Sequence, residues 1–453
     1  MNRPPSTPES TRKRVIAASF VGTTIEWYDF FIYGTAAALI FGDYFFSTLS
    51  PLSGTLAAFG TYAVGFVARP VGGIVAGHFG DRIGRKSMLV VSLLVMGVAT
   101  AAVGVLPGYA TIGIWAPILL VALRFAQGLG VGGEWGGAVL MVTEHAPRGR
   151  RGLYGSFPQM GLPAGIILSN LVFLAVTAAV SPEAFAAWGW RVPFLFGGLL
   201  VLFGLFIRLR VEESPEFRRL QVSTEVSRSP VVEVLRGNSR FVLLGAGAAI
   251  AAPVLGYVVI VYMLAYGTTV LELSRTTILG LILIGSVAWL LAILAAGSLS
   301  DRFGRRTVYA FGAAMGAVWA FPFYWLSDTG SPVLVGLAIV VASVATGVMS
   351  APQAALVAEI FPTRVRYSGA SLVYQLGAII GGALAPIIAT ALYGRYLSST
   401  PISIYLLGAC LVSLVSIAFL PETLADDEGG DAAPAAGFGS VRQNTDARAA
   451  EQP

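Results

Sequence analysis

Five ionisable side chains lie inside long apolar runs of this chain: Glu26, Asp29, Arg69, Arg124 and Glu134. The runs are expected to lie in a membrane, because 56% of the 453 residues are hydrophobic and only 12% are charged, about half the charged share of a soluble domain. An ionisable residue near the centre of a bilayer costs at least ~2.5 kcal/mol, so each one needs a partner or a water-filled path. Such residues are suited to carrying a proton or binding a charged solute.

Two acids and one arginine are predicted to meet near the middle of the membrane. Glu26 lies eleven residues past Val15, about 17 Å deep, and Asp29 follows on the same helix face. Arg124 lies twelve residues into its own run, about 18 Å from the opposite side. A carboxylate beside an arginine is ionised, whereas one alone in a low dielectric is neutral. A motion that separates them would therefore move a proton; the alternative is an ion pair that only holds two helices together.

The remaining mid-run polar residues are candidates for binding a substrate. Arg69 lies sixteen residues into the second run, about 24 Å deep. It either extends to the membrane surface or faces the interior, where its two-pronged donor suits a carboxylate. Glu134, beside Trp135, serves either a gate or packing. The second half offers uncharged residues that either contact substrate or pack: Tyr257, Tyr262, Trp289, Gln353, Tyr374 and Gln375.

Twelve apolar runs are long enough to cross a hydrocarbon core of ~30 Å. The first run carries two acids and is too long for a signal peptide, so we expect it to remain as a span. The single cysteine, Cys410, excludes an internal disulfide and a cysteine-cluster metal site, and the two histidines, His78 and His145, cannot form a histidine-rich metal centre. We predict an all-α polytopic membrane protein with spans at 15–41, 53–79, 88–106, 112–143, 153–180, 190–207, 241–266, 277–299, 307–326, 332–358, 367–393 and 402–420.

The basic residues predict the orientation. With the N-terminus inside, the outer loops hold only three of them, Arg191, Arg275 and Arg395. The inner segments then hold 22 Lys and Arg, as the positive-inside rule requires. The net charge of +5 follows from this bias and does not indicate a nucleic-acid partner. The inner segments are 1–14, 80–87, 145–152, 208–240, 300–307 and 360–367.

A ten-residue loop pattern occurs twice, 220 positions apart, at 77–86 and 297–306. Both copies read Gly-x-x-x-Asp-Arg-x-Gly-Arg-[Lys/Arg]. A glutamate seven residues before an arginine also recurs, as Glu144 with Arg151 and Glu359 with Arg366. The chain is therefore predicted to hold two copies of one half. The predicted parts are a cytoplasmic segment 1–14, an N-terminal bundle 15–207, a linker 208–240, a C-terminal bundle 241–423 and a disordered tail 424–453.

The repeated loops resemble the signature of the major facilitator superfamily. The stretches 22–30, 124–135 and 188–194 are similar to its metabolite:proton symporter branch, and the resemblance runs from Arg12 to Thr423. It implies twelve transmembrane helices in two six-helix bundles. The branch carries carboxylates and zwitterions such as proline and betaine. The glycine spacing after Arg124 resembles a motif linked to proton coupling, and Asp29 resembles the first-span acid of related sugar carriers.

The charged residues of the repeated loops are predicted to form a gate at the cytoplasmic side. Asp81 and Asp301 can cap a facing helix N-terminus, and the arginines can pair with Glu144 and Glu359 across the halves. If the charges served topology alone, the two aspartates would have no explanation. The predicted gate set is Asp81, Arg85, Glu144, Arg151, Asp301, Arg305, Glu359 and Arg366.

The sequence therefore predicts a transporter rather than an enzyme, importing a small mono- or dicarboxylate by proton symport. No cofactor beyond the coupling proton is expected, a monomer should suffice, and the location is a bacterial-type inner membrane with both termini cytoplasmic. One alternative is an importer of proline or betaine, although the tail lacks the coiled coil of osmosensing relatives. A second is an exporter working as a proton antiporter. Against it, Ile166 stands where the exporter motif has proline after Gly165.

Overall fold

The computed structural model describes residues 9–83, 85–132, 139, 142–143, 146–147, 149–209, 230–361 and 366–424. Side chains are described within these ranges except at 9–15, 74, 76–83, 85–89, 207–209, 230–233 and 366–367. The described chain is helical throughout, with no strand.

Twelve long helices follow one another and are numbered here in chain order. Three of them are irregular, because α1 and α11 each continue through a π-helical turn and α7 contains one. Their bounds are α1 Glu9–Ala36, α2 Pro51–Ile83, α3 Arg85–Val105, α4 Trp115–Val131, α5 Arg151–Ala179, α6 Val192–Leu209, α7 Ser239–Thr269, α8 Arg275–Phe303, α9 Arg305–Ser327, α10 Pro332–Glu359, α11 Arg366–Gly377 with its continuation Ala385–Tyr396, and α12 Thr400–Ala418.

Each predicted span overlaps one of these helices. Eight helical stretches of the described chain are long and apolar enough to cross a membrane, and Val90–Val105 and Trp115–Val131 are shorter apolar helices. Large apolar side chains are exposed along the helices, Leu243, Val318 and Val333 among them. Such an exposed apolar surface fits contact with lipid.

The loops contain short helices that hydropathy does not predict. Tyr109–Ile112 precedes α4, and Pro182–Ala187 follows α5, with the Ser181 hydroxyl accepting from the Ala184 N–H at 3.3 Å. The predicted linker 208–240 contains the helix Pro230–Gly237, and its residues 210–229 lie outside the described part.

The three π-helical turns are Ala37–Phe41 after α1, Val258–Tyr262 within α7 and Ala378–Ala383 in α11. Turns of this kind are rare and occur frequently at functional sites. The α7 and α11 turns each place a residue, Ile260 and Ala378, on the wall of a central cavity.

The two halves of the chain, α1–α6 and α7–α12, meet along two seams, α5 against α8 and α2 against α11. Glycine permits the first seam, since a Cβ added to Gly297 of α8 would lie 2.7 Å from the Ser156 hydroxyl oxygen of α5. We call the end of the molecule where α8 passes into α9 the basic end. The turn there uses Gly304 at φ +96°, a conformation that side chains on L-residues rarely adopt.

Candidate functional site

A narrow cavity lies between the two halves, and five of the residues that line it are aromatic. In its wall the Gln159 side-chain amide of α5 donates to the Ser350 carbonyl of α10 at 3.0 Å, which links the halves there. Four predicted residues of the second half line it: Tyr257, Trp289, Gln353 and Tyr374. The first half contributes Trp27, Phe31, Gln159 and Leu162.

Two predicted substrate residues, Tyr262 and Gln375, do not line this cavity. Adjacent residues in an α-helix point about 100° away from each other. Gln375 therefore cannot share the face of Tyr374. The Tyr262 ring instead packs on Tyr266, 5.6 Å between centroids, in a tyrosine cluster at the end opposite the basic end.

Arg69 of α2 faces the protein interior and not the membrane surface. Its side chain is 1% exposed, and its guanidinium carbon lies 4.3 Å from the ring centroid of Phe30, 5.1 Å from Trp27 and 5.2 Å from Phe66. Aromatic faces attract cations, most strongly away from water. Because Trp27 also lines the cavity, one indole ring contacts both Arg69 and the cavity.

Arg124 of α4 lies on another part of the same aromatic cluster. Its guanidinium carbon is 4.3 Å from the centroids of Phe30 and Tyr33 and 4.9 Å from Tyr62. Gly65 of α2 provides the room, since a Cβ there would lie 2.5 Å from the Arg124 Nε. The Nη1 atom donates to the Gln127 Oε1 at 3.2 Å.

The glycines after Arg124 bring α4 against α2. A Cβ added to Gly128 would lie 2.7 Å from the Ala68 Cβ, and one added to Gly132 would lie 2.6 Å from the Gly73 nitrogen. Small residues commonly permit such a close approach of the backbones of two membrane helices.

Asp29 is buried and hydrogen-bonded, but it does not pair directly with Arg124 as the sequence predicts. The carboxylate accepts from the Thr100 hydroxyl and from the Gln127 Nε2, the latter at 3.4 Å. No ion pair joins Asp29 to Arg124 in the described chain. The two side chains diverge because Asp29 faces α3, whereas Arg124 points to the space above Gly65 on α2. Glu26, one turn earlier, is also buried.

Several buried donors around Phe30 have no hydrogen-bond partner among the described residues. They include the Nε and Nη2 atoms of both Arg69 and Arg124. The Tyr62 and Tyr257 hydroxyls belong to the same set. Tyr257 reaches this cluster from α7, with its ring 5.4 Å from Phe66. Both halves therefore contribute to one buried aromatic region that holds two guanidinium groups.

At the basic end Asp301 joins the two halves. Its carboxylate accepts from the Gly152 and Leu153 N–H groups at 2.8 and 2.9 Å, so α8 caps the N-terminus of α5 as predicted. Arg305 holds Asp301 in place, with its Nη1 2.6 Å from the carboxylate. The Arg305 Nε also lies 3.7 Å from Glu359. Both members of that pair belong to the second half, so this contact does not cross the halves as expected.

Some of the predicted residues lie outside the described part of the chain. Glu134, Trp135 and Glu144 lie outside the described residues. The side chains of Asp81, Arg85 and Arg366 also lie outside what is described. Arg151 begins α5 and is half-buried.

The sequence model of the Major Facilitator Superfamily matches residues 19–374 and 290–445. This chain belongs to the Major Facilitator Superfamily. The chain is 41% identical over 92% of its length to the "Inner membrane metabolite transport protein YhjE" of Escherichia coli, of which it covers 96%. It is 40% identical over 91% of its length to the "Shikimate transporter" of Escherichia coli, of which it covers 95%. It is 32% identical over 91% of its length to the "Proline/betaine transporter" of Escherichia coli, of which it covers 84%.

The fold agrees with a solved superfamily structure. The xylose transporter XylE from E. coli, in a partially occluded inward open conformation, superposes with a TM-score of 0.72 at 21% identity. The match covers 92% of this chain and 99% of that one. The predicted fold class is thereby confirmed: twelve transmembrane helices in two six-helix bundles. Like its relatives, this superfamily member is a membrane transporter and not an enzyme.

Sequence reasoning missed several residues of the site. Gln127 lies three residues after Arg124 on the same helix face, and this spacing could have identified it as a partner of Arg124. Thr100 stands alone in an apolar run and gave no signal. Phe30 and Tyr62 read as packing residues. At the basic end, the Glu422 carboxylate accepts from the Arg305 and Arg306 N–H groups at 2.8 and 3.1 Å and caps α9, a role that the sequence analysis did not predict.

Proposed function

We propose that this transporter imports a small mono- or dicarboxylate together with protons by alternating access. The observation that carries the proposal is the pair of buried guanidinium groups, Arg69 and Arg124, with donors that lack partners in the described chain. The Nε and Nη2 atoms lie on one edge of a guanidinium group, and that edge binds a carboxylate through two parallel hydrogen bonds. Each arginine therefore presents a two-pronged site for one carboxylate.

The cost of burying charge supports an anionic substrate. Two cations share the Phe30 ring, each with its guanidinium carbon 4.3 Å from the centroid, and a buried unpaired charge costs several kcal/mol. An anion that entered between the halves would lower this cost. The shikimate transporter is among the more similar relatives, and shikimate is a monocarboxylate.

Asp29 is the proposed proton carrier. It is 2% exposed and is held by two uncharged side chains, those of Thr100 and Gln127. A carboxylate in such surroundings can exist neutral or ionised at moderate cost, depending on whether water reaches it. Opening to one side of the membrane and then the other would let Asp29 take up a proton outside and release it inside.

A zwitterionic substrate such as proline or betaine is a second candidate. Five aromatic rings face the central cavity, those of Trp27, Phe31, Tyr257, Trp289 and Tyr374. Rings arranged in this way bind quaternary ammonium groups. In this case one arginine would hold the carboxylate while the rings held the ammonium group.

Uptake into proteoliposomes with an imposed pH gradient distinguishes these functions. The panel contains shikimate, succinate, proline and betaine, and we expect gradient-driven accumulation of a carboxylate. Arg69→Lys keeps the charge but loses the two-pronged edge, so uptake should fall about tenfold or more. Arg275→Lys, at the first residue of α8, is the matched control and should transport normally.

Three results would contradict the proposal. Accumulation of betaine or proline without any carboxylate would favour the second candidate. Carboxylate uptake that is unchanged in Arg69→Lys would remove Arg69 from the site. Gradient-driven expulsion of the panel compounds would indicate an exporter.

A further inference from the structure

An unbroken hydrogen-bond chain connects Arg124 to Asp29 through two uncharged side chains. The Arg124 Nη1 donates to the Gln127 Oε1 at 3.2 Å. The Gln127 Nε2 donates to the Thr100 Oγ1 at 2.8 Å, and the Thr100 hydroxyl donates to the Asp29 carboxylate. Every donor in the chain points from the cation toward the anion. Hydrogen bonds aligned in one direction polarise and strengthen one another.

The charges at the two ends determine how the Gln127 amide is oriented. Its oxygen faces the guanidinium group and its nitrogen faces the carboxylate and the hydroxyl. The opposite orientation would place the amide oxygen against an anion and the amide NH₂ against a cation. An ionised Asp29 therefore locks Gln127 in the orientation that holds Arg124.

Protonation of Asp29 removes that lock. The neutral carboxyl group becomes a donor, and the Thr100 hydroxyl can accept from it, because the Met96 carbonyl lies 2.8 Å away as an alternative acceptor for the hydroxyl hydrogen. The attraction of the anion for the Gln127 Nε2 is then lost, and Gln127 no longer has to present its oxygen to Arg124. The Arg124 Nη1 becomes available for another anion.

We propose that Gln127 is a positioning residue that transmits the protonation state of Asp29 to Arg124. The inference rests on the proposed function, in which Asp29 carries the proton and Arg124 binds a substrate carboxylate. It gives symport a direct physical link, since a bound proton would prepare the arginine for the anion. Gln127 is 1% exposed, so water does not compete for these hydrogen bonds.

Apart from Arg124 at its far end, the other groups around Asp29 are not part of this hydrogen-bond chain. Among the described residues, the nearby titratable groups are Glu26 and Tyr28 on its own helix and Arg124 on α4. The Tyr28 hydroxyl donates to the Pro193 carbonyl of α6 at 2.8 Å. From α5, Gly161 and Gly165 approach α1, and a Cβ on Gly165 would lie 2.7 Å from the Tyr28 nitrogen. Within the described part of the chain, the hydrogen bonds to the Asp29 carboxylate come from α3 and α4.

Infrared difference spectroscopy tests the relay without any substrate. The full chain in lipid vesicles is stepped from alkaline to acidic pH, and the difference spectrum is recorded. In the wild type we expect a carboxyl band that Asp29→Asn removes, together with a guanidinium band that Arg124→Lys removes. Gln127→Met should keep the carboxyl band and lose the guanidinium band. Asn170→Leu, which removes another buried amide, should keep both bands.

Thr100→Val provides a second variant of nearly unchanged volume, for use if Gln127→Met is poorly folded. It should also lose most of the guanidinium band, because the path with the shorter hydrogen bonds to Asp29 passes through the Thr100 hydroxyl. A guanidinium band that persists in either folded variant would overturn the relay while leaving Asp29 as the proton carrier. A wild type without an Asp29 band would overturn both the relay and the proposed proton site.

Discussion

Phe30 places two like charges on one aromatic ring. The guanidinium carbons of Arg69 and Arg124 each lie 4.3 Å from its centroid, so they are less than twice that distance apart. The ring faces stabilise the cations, by up to about 2 kcal/mol for a desolvated contact, but they do not remove the repulsion between them. An anion is the ligand that would balance both charges.

Asp29→Asn tests the proton site. The amide keeps the size and the hydrogen bonds of the neutral acid but cannot ionise, so accumulation driven by a pH gradient should be lost. Exchange of substrate between equal pools should continue, because exchange does not require the proton to be released. The measurement is uptake and counterflow in proteoliposomes. Equal loss of both activities in a folded protein would indicate a structural role for Asp29.

Glu26→Gln is the matched comparison for that variant. Glu26 lies on the same helix and is buried to a similar degree, 4% exposed against 2% for Asp29. We expect Glu26→Gln to retain gradient-driven accumulation. If it behaves as Asp29→Asn is expected to, and Asp29→Asn does not, Glu26 is the proton carrier.

At the scale of helices, α2 offers a test of the space that Arg124 occupies. In Gly65→Ala the added methyl group would lie 2.5 Å from the Arg124 Nε and 2.9 Å from its Cζ, so the guanidinium group must leave its place on the rings. Overpacking of this kind costs about 1–3 kcal/mol, and we expect uptake to fall about tenfold. The initial rate of carboxylate uptake is the measurement.

Gly60→Ala is the control in the same helix. No atom lies within 4 Å of a Cβ added there, so this variant should transport like the wild type. If both alanine variants lowered uptake equally, the effect would come from α2 as a helix and not from Arg124.

The N-terminus of α5 is held by a residue of the other half, which makes Asp301 a candidate lock. Asp301→Ala removes the acceptor of the Gly152 and Leu153 N–H groups, and loss of such a cap costs about 1 kcal/mol. The basic end should therefore open more often, about fivefold at that cost. A cysteine placed at Ser350 on the cavity wall should react correspondingly faster with a thiol reagent.

Two features make this measurement specific. The native Cys410 is fully buried in α12 and gives little background. Asp43→Ala removes the same charge away from this seam and should leave the reactivity of the Ser350 cysteine unchanged. Unaltered reactivity in Asp301→Ala would mean that the cap does not restrain opening.

For the whole molecule, the charge bias predicts that the basic end faces the cytoplasm. Single cysteines at two exposed positions test this, one at Arg302 on the basic end and one at Thr329 between α9 and α10. A membrane-impermeant reagent added to intact cells should label the Thr329 cysteine and not the Arg302 cysteine. The reverse pattern would refute the orientation, with both termini then outside.

Features that depend on local pattern could be predicted from the sequence. Hydropathy located all twelve helices, because lipid requires about twenty apolar residues in each. The repeated loop indicated two related halves, and its Asp301 indicated a helix cap, because a short acidic side chain beside a helix start has few other uses. Burial of Arg124 followed from its depth along the helix, whereas depth left Arg69 open between the membrane surface and the interior.

Only the tertiary structure decided which buried groups touch. The position of Asp29 and Arg124 along their helices places both near the middle of the membrane. It does not determine the direction in which each side chain points around its helix axis. The close approach of α2 and α4 at Gly65 gives Arg124 a place among aromatic rings, and Asp29 is left to Thr100 and Gln127. Rotation also turned Tyr262 away from the cavity. Helix rotation is set by packing against neighbours, and no single run of sequence contains those neighbours.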